Sequence, residues 1–361
     1  MSRIFNFSAG PSTLPLPVLE RVRDEMVDYQ GSGLSLIEAS HRGAEYSKVH
    51  ETAGVLMREL LGLPANYKVL FLQGGATLQF GMIPLNLLGG GKPCDFTVTG
   101  TWAKKALADA KKIGKPRVIY DGAAESFMTL PDPATLKVDP AAVYLHMTSN
   151  ETIGGVQWQG WPDAGAVPIV CDMSSDFLSR SFPVEKFGLI YAGAQKNLGP
   201  AGMAVVIIRD DLLEKCSDDL PAYLSYKVHA AEDSLYNTPP VFPIWVSALV
   251  LEHVKANGGL AGAEKLATRR SQMLYDMIAK HAGFYRCPVA AHCRSKMNVV
   301  WRLPSEDLEG QFIKEAKAAG MSGLKGHRSV GGCRASIYNA MPVEGVQALA
   351  DFMDAFARAH G

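Results

Sequence analysis

The sequence predicts an α/β protein: a large domain built on a mostly parallel sheet flanked by helices, followed by a smaller α+β C-terminal domain. Short apolar runs bounded by Gly or Pro alternate with helical stretches between residues 69 and 208, the pattern of a sheet covered on both faces. Past Gly258-Gly259 the pattern starts afresh as strand, helix, strand, helix over roughly a hundred residues, enough for a separate domain. The length of 361 residues, with 47% hydrophobic and 20% charged residues, suits about two soluble globular domains. The expected division is a large domain over 16–258 and a small one made of 1–15 and 259–361.

The elements follow in order. The first residues are extended and proline-rich, then Val18–Tyr29 has amphipathic helical spacing. Val69–Gln73 reads as a strand, followed by Gly74-Gly75 and a helix over Ala76–Leu88. Phe96–Thr99 is a strand leading into the helix Ala103–Ile113, and Ala142–Met147 and Pro168–Asp172 are further strands. Phe187–Ala194 and Met203–Ile208 are buried strands with Lys196 between them. Val241–Ala256 and Leu260–His281 are helices. Asn298–Leu303 and Arg334–Tyr338 are strands, and Glu306–Ala319 and Val343–Ala359 are helices, the last entered through Pro342.

Composition excludes several classes. Lys+Arg and Asp+Glu are both 36, a balance that argues against nucleic acid or a membrane surface as partner. The N-terminal segment has no apolar signal core, and the longest apolar window, Val241–Val254, is broken by Pro243 and carries Glu252 and His253. Six scattered cysteines without a CxxC pair fit free thiols in a reducing cytoplasm. Gly89-Gly90-Gly91-Lys92 is followed by Pro93 rather than Ser or Thr, so it is no P-loop. HExxH, G-x-S-x-G and zinc-spaced Cys/His clusters do not occur, and no G-x-G-x-x-G follows a strand.

Lys196 lies in a glycine-flanked connection inside the core, where lysine is rare without a partner or a chemical use. On this segment alone, a lysine snorkelling to water and a reactive Schiff-base lysine explain it equally. Other polar residues fall at strand ends along the same rim: Gly74-Gly75, Trp102, Asn150-Glu151-Thr152 and Asp172. Singly, each could be a tight turn, a packing ring, a turn cap or an ion-pair partner. Together with Lys196 they suit pyridoxal phosphate, which needs an amine, an acid near the pyridine nitrogen, an aromatic face and a helix N-terminus for its phosphate. The candidates are Lys196, Asp172, Trp102 and the Gly74–Thr77 turn. A second group is basic: His41-Arg42, Lys325, His327-Arg328 and Arg334, as many cations as a substrate with two or three negative charges would need.

Longer motifs carry a family resemblance from end to end. They are Phe5-Asn6-Phe7-Ser8-Ala9-Gly10-Pro11, Ser40-His41-Arg42-Gly43, Asn150-Glu151-Thr152-Ile153, Ile190–Asn197, Tyr236-Asn237-Thr238-Pro239-Pro240, Lys325–Arg328 and Arg334–Pro342. In these motifs the chain resembles the class V aminotransferases, enzymes of the fold-type I pyridoxal 5'-phosphate group. The resemblance implies Lys196 as the catalytic residue and internal aldimine, Asp172 at the pyridinium nitrogen, Trp102 on the ring and Thr152 near the phenolic oxygen. It implies Ala76, Thr77 and Gln195 at the phosphate, joined by Asn237 and Thr238 from the neighbouring subunit of a homodimer. Arg334 would take the substrate α-carboxylate, with His41, Arg42, His327 and Arg328 around a side-chain phosphate or γ-carboxylate. Some relatives carry Gly at position 76 and Arg at 77, a cation this chain lacks.

The activity so implied is ping-pong transfer of the amino group of L-glutamate to 3-phosphohydroxypyruvate, giving O-phospho-L-serine and 2-oxoglutarate for L-serine biosynthesis. A neutral-substrate relative would share Lys196 and Asp172 but have little use for His41, Arg42, His327 and Arg328 together. A cysteine desulfurase would need a reactive cysteine in a mobile loop, and Cys333 beside Arg334 reads as packing. Lys196 and Asp172 together weigh against a non-catalytic binding protein on the same scaffold.

Overall fold

The two apolar runs on either side of Lys196 form the middle of a seven-stranded sheet in the computed structural model, which describes residues 3–361. In chain order its strands are β1 (Tyr67–Gln73), β2 (Pro93–Val98), β3 (Lys115–Asp121), β4 (Leu145–Thr148), β5 (Ile169–Asp172), β6 (Phe187–Gly193) and β7 (Met203–Arg209). In space they run β1-β7-β6-β5-β4-β2-β3. Neighbours from β6 to β3 are parallel, whereas β7 is antiparallel to both β6 and β1. The carboxyl ends of β1, β2, β4, β5 and β6 therefore share one edge, and the β6–β7 connection carrying Lys196 lies on it. That edge is where ligands bind in sheets of this kind.

Alternation along each strand divides the core. Leu70, Leu72, Val206 and Ile208 face one side with Phe80, Ile83, Leu87 and Leu107 of helices α3 (Gly75–Leu87) and α4 (Thr101–Ile113). Val69, Phe71, Val205 and Ile207 face the other. There they meet α1 (Leu16–Glu25), α2 (Ala44–Leu61) and α5 (Val241–Ala256) through Val22, Met57 and Trp245. Every residue of β6 is buried, and burying each large aliphatic side chain contributes about 1.5–3 kcal/mol.

After α6 (Gly259–Lys280) comes a second apolar cluster. Strands β8 (Asn298–Trp301) and β9 (Cys333–Ser336) pair antiparallel beneath α7 (Glu306–Ala318) and α8 (Val343–His360), with Trp301, Phe312, Met353 and Phe356 packed together. The N-terminus joins this cluster: Phe5-Asn6 pairs in parallel with Met321-Ser322, and Phe7 is fully buried there.

Three elements differ from the sequence reading. The first helix ends at Glu25 rather than Tyr29, which is buried against Trp245 from a separate 3-10 turn, Tyr29–Gly31. Helix α2 is absent from that reading. It buries Tyr46, Val49, Ala53, Leu56 and Met57 at helical spacing against α5, but Gly54 and five acidic or basic residues interrupt the pattern. Strand β3 was also not expected: Lys-Pro-Arg-Val-Ile-Tyr-Asp is a solvated edge with no apolar run, and Pro116 is tolerated only at such an edge.

Candidate active site

Each polar residue on the shared edge is placed by the element before it. The β6–β7 connection folds back tightly, with the Gly199 N–H donating to Ala194 O at 2.7 Å and the Ala194 N–H to Met203 O at 2.9 Å. A Cβ at Gly199 would collide with Ser247 Oγ of α5, so only glycine lets the connection sit this deep. The Ser12 hydroxyl donates to the Lys196 carbonyl and the Ser12 N–H to Gln195 O, clamping the N-terminal segment over the lysine. Lys196 Nζ then reaches inward, donating to Thr152 Oγ1 at 2.7 Å and standing 5.2 Å from the centroid of the Trp102 ring.

Asp172 ends β5, buried among apolar neighbours. Its Oδ1 accepts the Ser174 N–H at 2.8 Å and the Ser174 hydroxyl at 2.6 Å, while Ser174 Oγ accepts the Gly193 N–H at 3.0 Å. Burial pushes the Asp172 carboxyl above the usual carboxylate range, against the pull of Lys196 and the Ser174 bonds. Burial also lowers the Lys196 amine, opposed by Asp172 and Glu151, with the Arg334 cation adding to the lowering. A buried lysine with a lowered pKa has more of its amine free as a nucleophile and base.

The segment after β4, legible in sequence only as a turn, separates into three roles. Asn150 bonds Ser175, Ser295 and Asn298, tying the sheet edge to β8. Thr152 receives Lys196. Glu151 is buried and caps α4 from outside, accepting the Trp102 N–H at 3.2 Å and the Ala103 N–H at 3.0 Å; a side chain at Gly100 would strike its carboxyl, 2.5 Å away. Burial raises the Glu151 carboxyl to about 7 from 4.5. Between those values the folded protein holds a proton that the unfolded chain has released, so the contribution of Glu151 to stability is fully present below 4.5 and is lost as pH rises towards about 7. The loss amounts to about 3 kcal/mol at most. Glu151→Gln is expected to flatten that stretch of the stability–pH curve, measured by urea unfolding; an unchanged slope would contradict this origin.

Lys196, Thr152, Trp102, Asp172 and Ser174 line a cavity of about 650 Å³ together with Gly10, Gly74, Ala76, Thr77, Gln195, His327 and Arg334. Gly74, in the left-handed region at φ +85°, turns the chain into α3, whose N-terminus has no side-chain cap and no acidic residue in its first turn. Its free N–H groups beside Ala76 and Thr77 form an anion seat. Arg334 donates Nη1 to Thr152 O at 3.2 Å, and its buried Nε has no partner among the described residues. Desolvation holds the His327 imidazole below its usual range, with the cations Arg334, Arg328 and Lys105 adding to the lowering.

Of the residues expected from sequence, Ala76, Thr77, Trp102, Thr152, Asp172, Gln195, Lys196, His327 and Arg334 share this cavity. His41, Arg42, Arg328, Asn237 and Thr238 do not line it. Arg42, Arg328 and Thr238 are exposed, and His41 keeps a buried, unpartnered Nε2. Asp233 contacts His50 of α2 at 3.4 Å, so the loop leading to Asn237-Thr238 lies against the helix that follows His41-Arg42. Ser174 and Glu151 were not singled out as site residues. A serine two residues after a strand-end aspartate is the only signal the sequence offers for the first. Cys333 is buried and its thiol is pushed well up, as expected of packing.

An amine, a buried acid, an indole face and an uncapped helix start around one cavity fit pyridoxal phosphate group by group. The chain matches the family Aminotransferase class-V over residues 4–349. It is 52% identical over 358 residues to a phosphoserine aminotransferase of Laribacter hongkongensis (strain HLHK9), with 99% of each chain covered. The solved phosphoserine aminotransferase from Bacillus circulans subsp. alkalophilus superposes with a TM-score of 0.97 at 50% identity, covering 99% of each chain. The PLP-bound phosphoserine aminotransferase from Trichomonas vaginalis superposes with a TM-score of 0.92 at 37% identity, covering 98% of this chain and 100% of that one. The chain thus belongs to the class-V aminotransferases, in their phosphoserine aminotransferase branch.

Proposed function

We propose that this chain transfers the amino group of L-glutamate to 3-phosphohydroxypyruvate, releasing O-phospho-L-serine and 2-oxoglutarate, with pyridoxal 5'-phosphate held at Lys196. The observation that carries the reading is Lys196 Nζ against Thr152 and the Trp102 ring, with buried Asp172, the His327 imidazole and the Arg334 cation lining the same cavity. When bound, the cofactor supplies an electron sink for the charge left as the substrate Cα loses its proton.

The side chains supply the rest. Lys196 holds the cofactor and, once freed, moves the proton at the substrate Cα as base and then acid. Asp172, oriented by Ser174, pairs with the pyridinium nitrogen. Trp102 stacks on the ring, and Thr152 bonds at its edge. The α3 N-terminus with Ala76, Thr77 and Gln195 holds the phosphate. Arg334 grips the α-carboxylate with its free donors. His327 and Arg328 attract the distal phosphate or γ-carboxylate.

Asn237 and Thr238, outside this chain's own cavity, would complete the phosphate seat of a partner subunit in a homodimer. His41 and Arg42 would approach the partner's substrate from the same face. The division into 16–258 and 1–15 with 259–361 would place the substrate between the two domains. The setting would be cytoplasmic, with small molecules rather than nucleic acid or membrane as partners; all six cysteines are free, and no described helix is long and apolar enough to cross a membrane.

Initial rates tested against both substrates should give parallel double-reciprocal lines, and Arg334→Ala should lower kcat/KM about 10–100-fold for glutamate, the value of a charged hydrogen-bonded pair. Intersecting lines, or an unaffected Arg334→Ala enzyme, would overturn the scheme.

A further inference from the structure

The glycine-rich loop of residues 326–332 leads into β9 and carries His327 to the wall of the active-site cavity. The loop is closed by its own backbone. The Gly326 N–H donates to Gly332 O at 2.8 Å, and the Val330 and Gly331 N–H groups donate to His327 O at 3.0 and 2.9 Å. Gly332 has φ +70°, and a Cβ there would stand 2.6 Å from Arg302 Cδ, so the turn needs glycine at this point. Arg302 and Glu309 tie the loop to α7. Arg302 Nη1 donates to Val330 O at 2.9 Å and its Nε to Glu309 Oε1 at 2.6 Å, while Glu309 Oε2 accepts the Gly332 N–H at 3.2 Å. The backbone around His327 is thus fixed by the protein itself.

The imidazole is fixed as well. The Ser329 N–H donates to His327 Nδ1 at 3.2 Å, and Ser329 Oγ stands 2.7 Å from the same nitrogen. A backbone N–H can only donate, so Nδ1 offers it a lone pair and carries no proton. The Ser329 hydroxyl, free to rotate, then donates to Nδ1 too. A proton on Nδ1 would meet the Ser329 N–H hydrogen head on, which disfavours both the other neutral tautomer and the imidazolium. The ring proton is left on Nε2. That nitrogen has no hydrogen-bond partner among the described residues, and His327 lines the cavity, so Nε2 is the one available to a ligand. The groups facing the ring act in the same direction. Desolvation lowers its basicity, and the cations Arg334 of β9, Arg328 of the loop and Lys105 of α4 add to the lowering, with no carboxylate opposing them.

On the reading that His327 meets the substrate's distal phosphate or γ-carboxylate, we propose that Ser329 is a positioning residue that presents His327 as a neutral imidazole with its proton on Nε2. This corner of the site then grips the distal group by donating a hydrogen bond and adds no charge of its own; charge is left to the arginines. The chemistry suits a site that takes two different acids in turn. Phosphate and carboxylate differ in charge and shape, yet both offer oxygen acceptors, and one neutral donor serves either. A neutral donor also keeps its proton as pH rises, whereas an imidazolium would lose its charge above the ordinary histidine value of 6.5.

The test reads the proton directly. Nitrogen-15 NMR of the histidine-labelled holoenzyme, with the His327 signals assigned by their loss in His327→Gln, is expected to show a proton on Nε2 and none on Nδ1 at neutral pH. Ser329→Ala should mix the two neutral tautomers and raise the KM for glutamate about 2- to 10-fold, the share of one hydrogen bond, with a far smaller change in kcat. Ser329→Thr keeps the hydroxyl and should restore both. An unchanged spectrum and KM in Ser329→Ala would overturn the role of Ser329. The second measurement is binding of glutarate, a glutamate without its amine, to wild type and His327→Gln between about pH 6 and 8. The glutamine amide keeps a donor and does not titrate, and the comparison cancels titrations elsewhere in the site. A constant ratio of the two Kd values is expected. A charged His327 would be lost as pH rises, weakening wild-type binding relative to the variant; that result, or a proton on Nδ1 in the spectrum, would overturn the proposal. The spectrum needs no turnover, so failure here and failure of the proposed activity are read separately.

Discussion

Lys196→Ala is expected to lower kcat by at least about 10⁴-fold and, on the proposed role of this residue, to remove the visible absorption of the wild-type holoenzyme. The effect should be this large because two roles end together: holding the cofactor and moving the Cα proton. Geometry leaves no substitute. Among the groups lining the cavity, Lys196 is the amine, and its neighbours Thr152, Asp172 and Trp102 cannot replace a nitrogen nucleophile. Its environment suits that role, since burial, with Arg334 adding, lowers the amine pKa against the opposing pull of Asp172 and Glu151. Loss without unfolding, checked by circular dichroism, is the expected result. Retained transamination in the variant would overturn the assignment.

Asp172→Asn is expected to lower kcat about 10²- to 10³-fold while leaving cofactor binding detectable. The amide keeps the shape of the carboxylate, and its oxygen still accepts from Ser174. On the proposed role of Asp172, what would disappear is the negative charge that would keep the pyridine nitrogen protonated. The cost is large because the site is dry: Asp172 lies at the buried end of β5, where one charge is not screened. Burial opposes this ionisation, so the two Ser174 bonds are part of the device. Ser174→Ala should therefore reduce activity in the same direction and by less. Equal activity of Asp172→Asn and wild type would show that the carboxylate does not serve the cofactor.

How far the sequence revealed the site followed from how local each signal was. Lys196 and Asp172 were visible because each is a charged residue at the end of an apolar run, a conflict that only chemistry or a partner explains. Helix α3 and its glycines were visible through the turn they demand. Glu151 was visible only as part of the Asn150-Glu151-Thr152 turn, and its capping role was not, because its partners are the backbone of Trp102 and Ala103, almost fifty residues away in sequence and brought close only by the adjacency of β2 and β4. Strand direction was likewise beyond the local pattern. The run Met203–Ile208 looks like its parallel neighbours, yet the short connection holding Lys196 leaves room only for an antiparallel return. Strand β3, solvated and carrying Pro116, lacks the apolar run by which the other strands were found.

The most direct measurement is the absorption spectrum of the purified protein before and after addition of L-phosphoserine, with L-alanine added to a parallel sample. A visible band that L-phosphoserine bleaches and L-alanine leaves unchanged is expected if Lys196 holds the cofactor and Arg334 with the His327 imidazole selects an acidic substrate. Bleaching by L-alanine in place of L-phosphoserine, or no band after added pyridoxal phosphate, would contradict it.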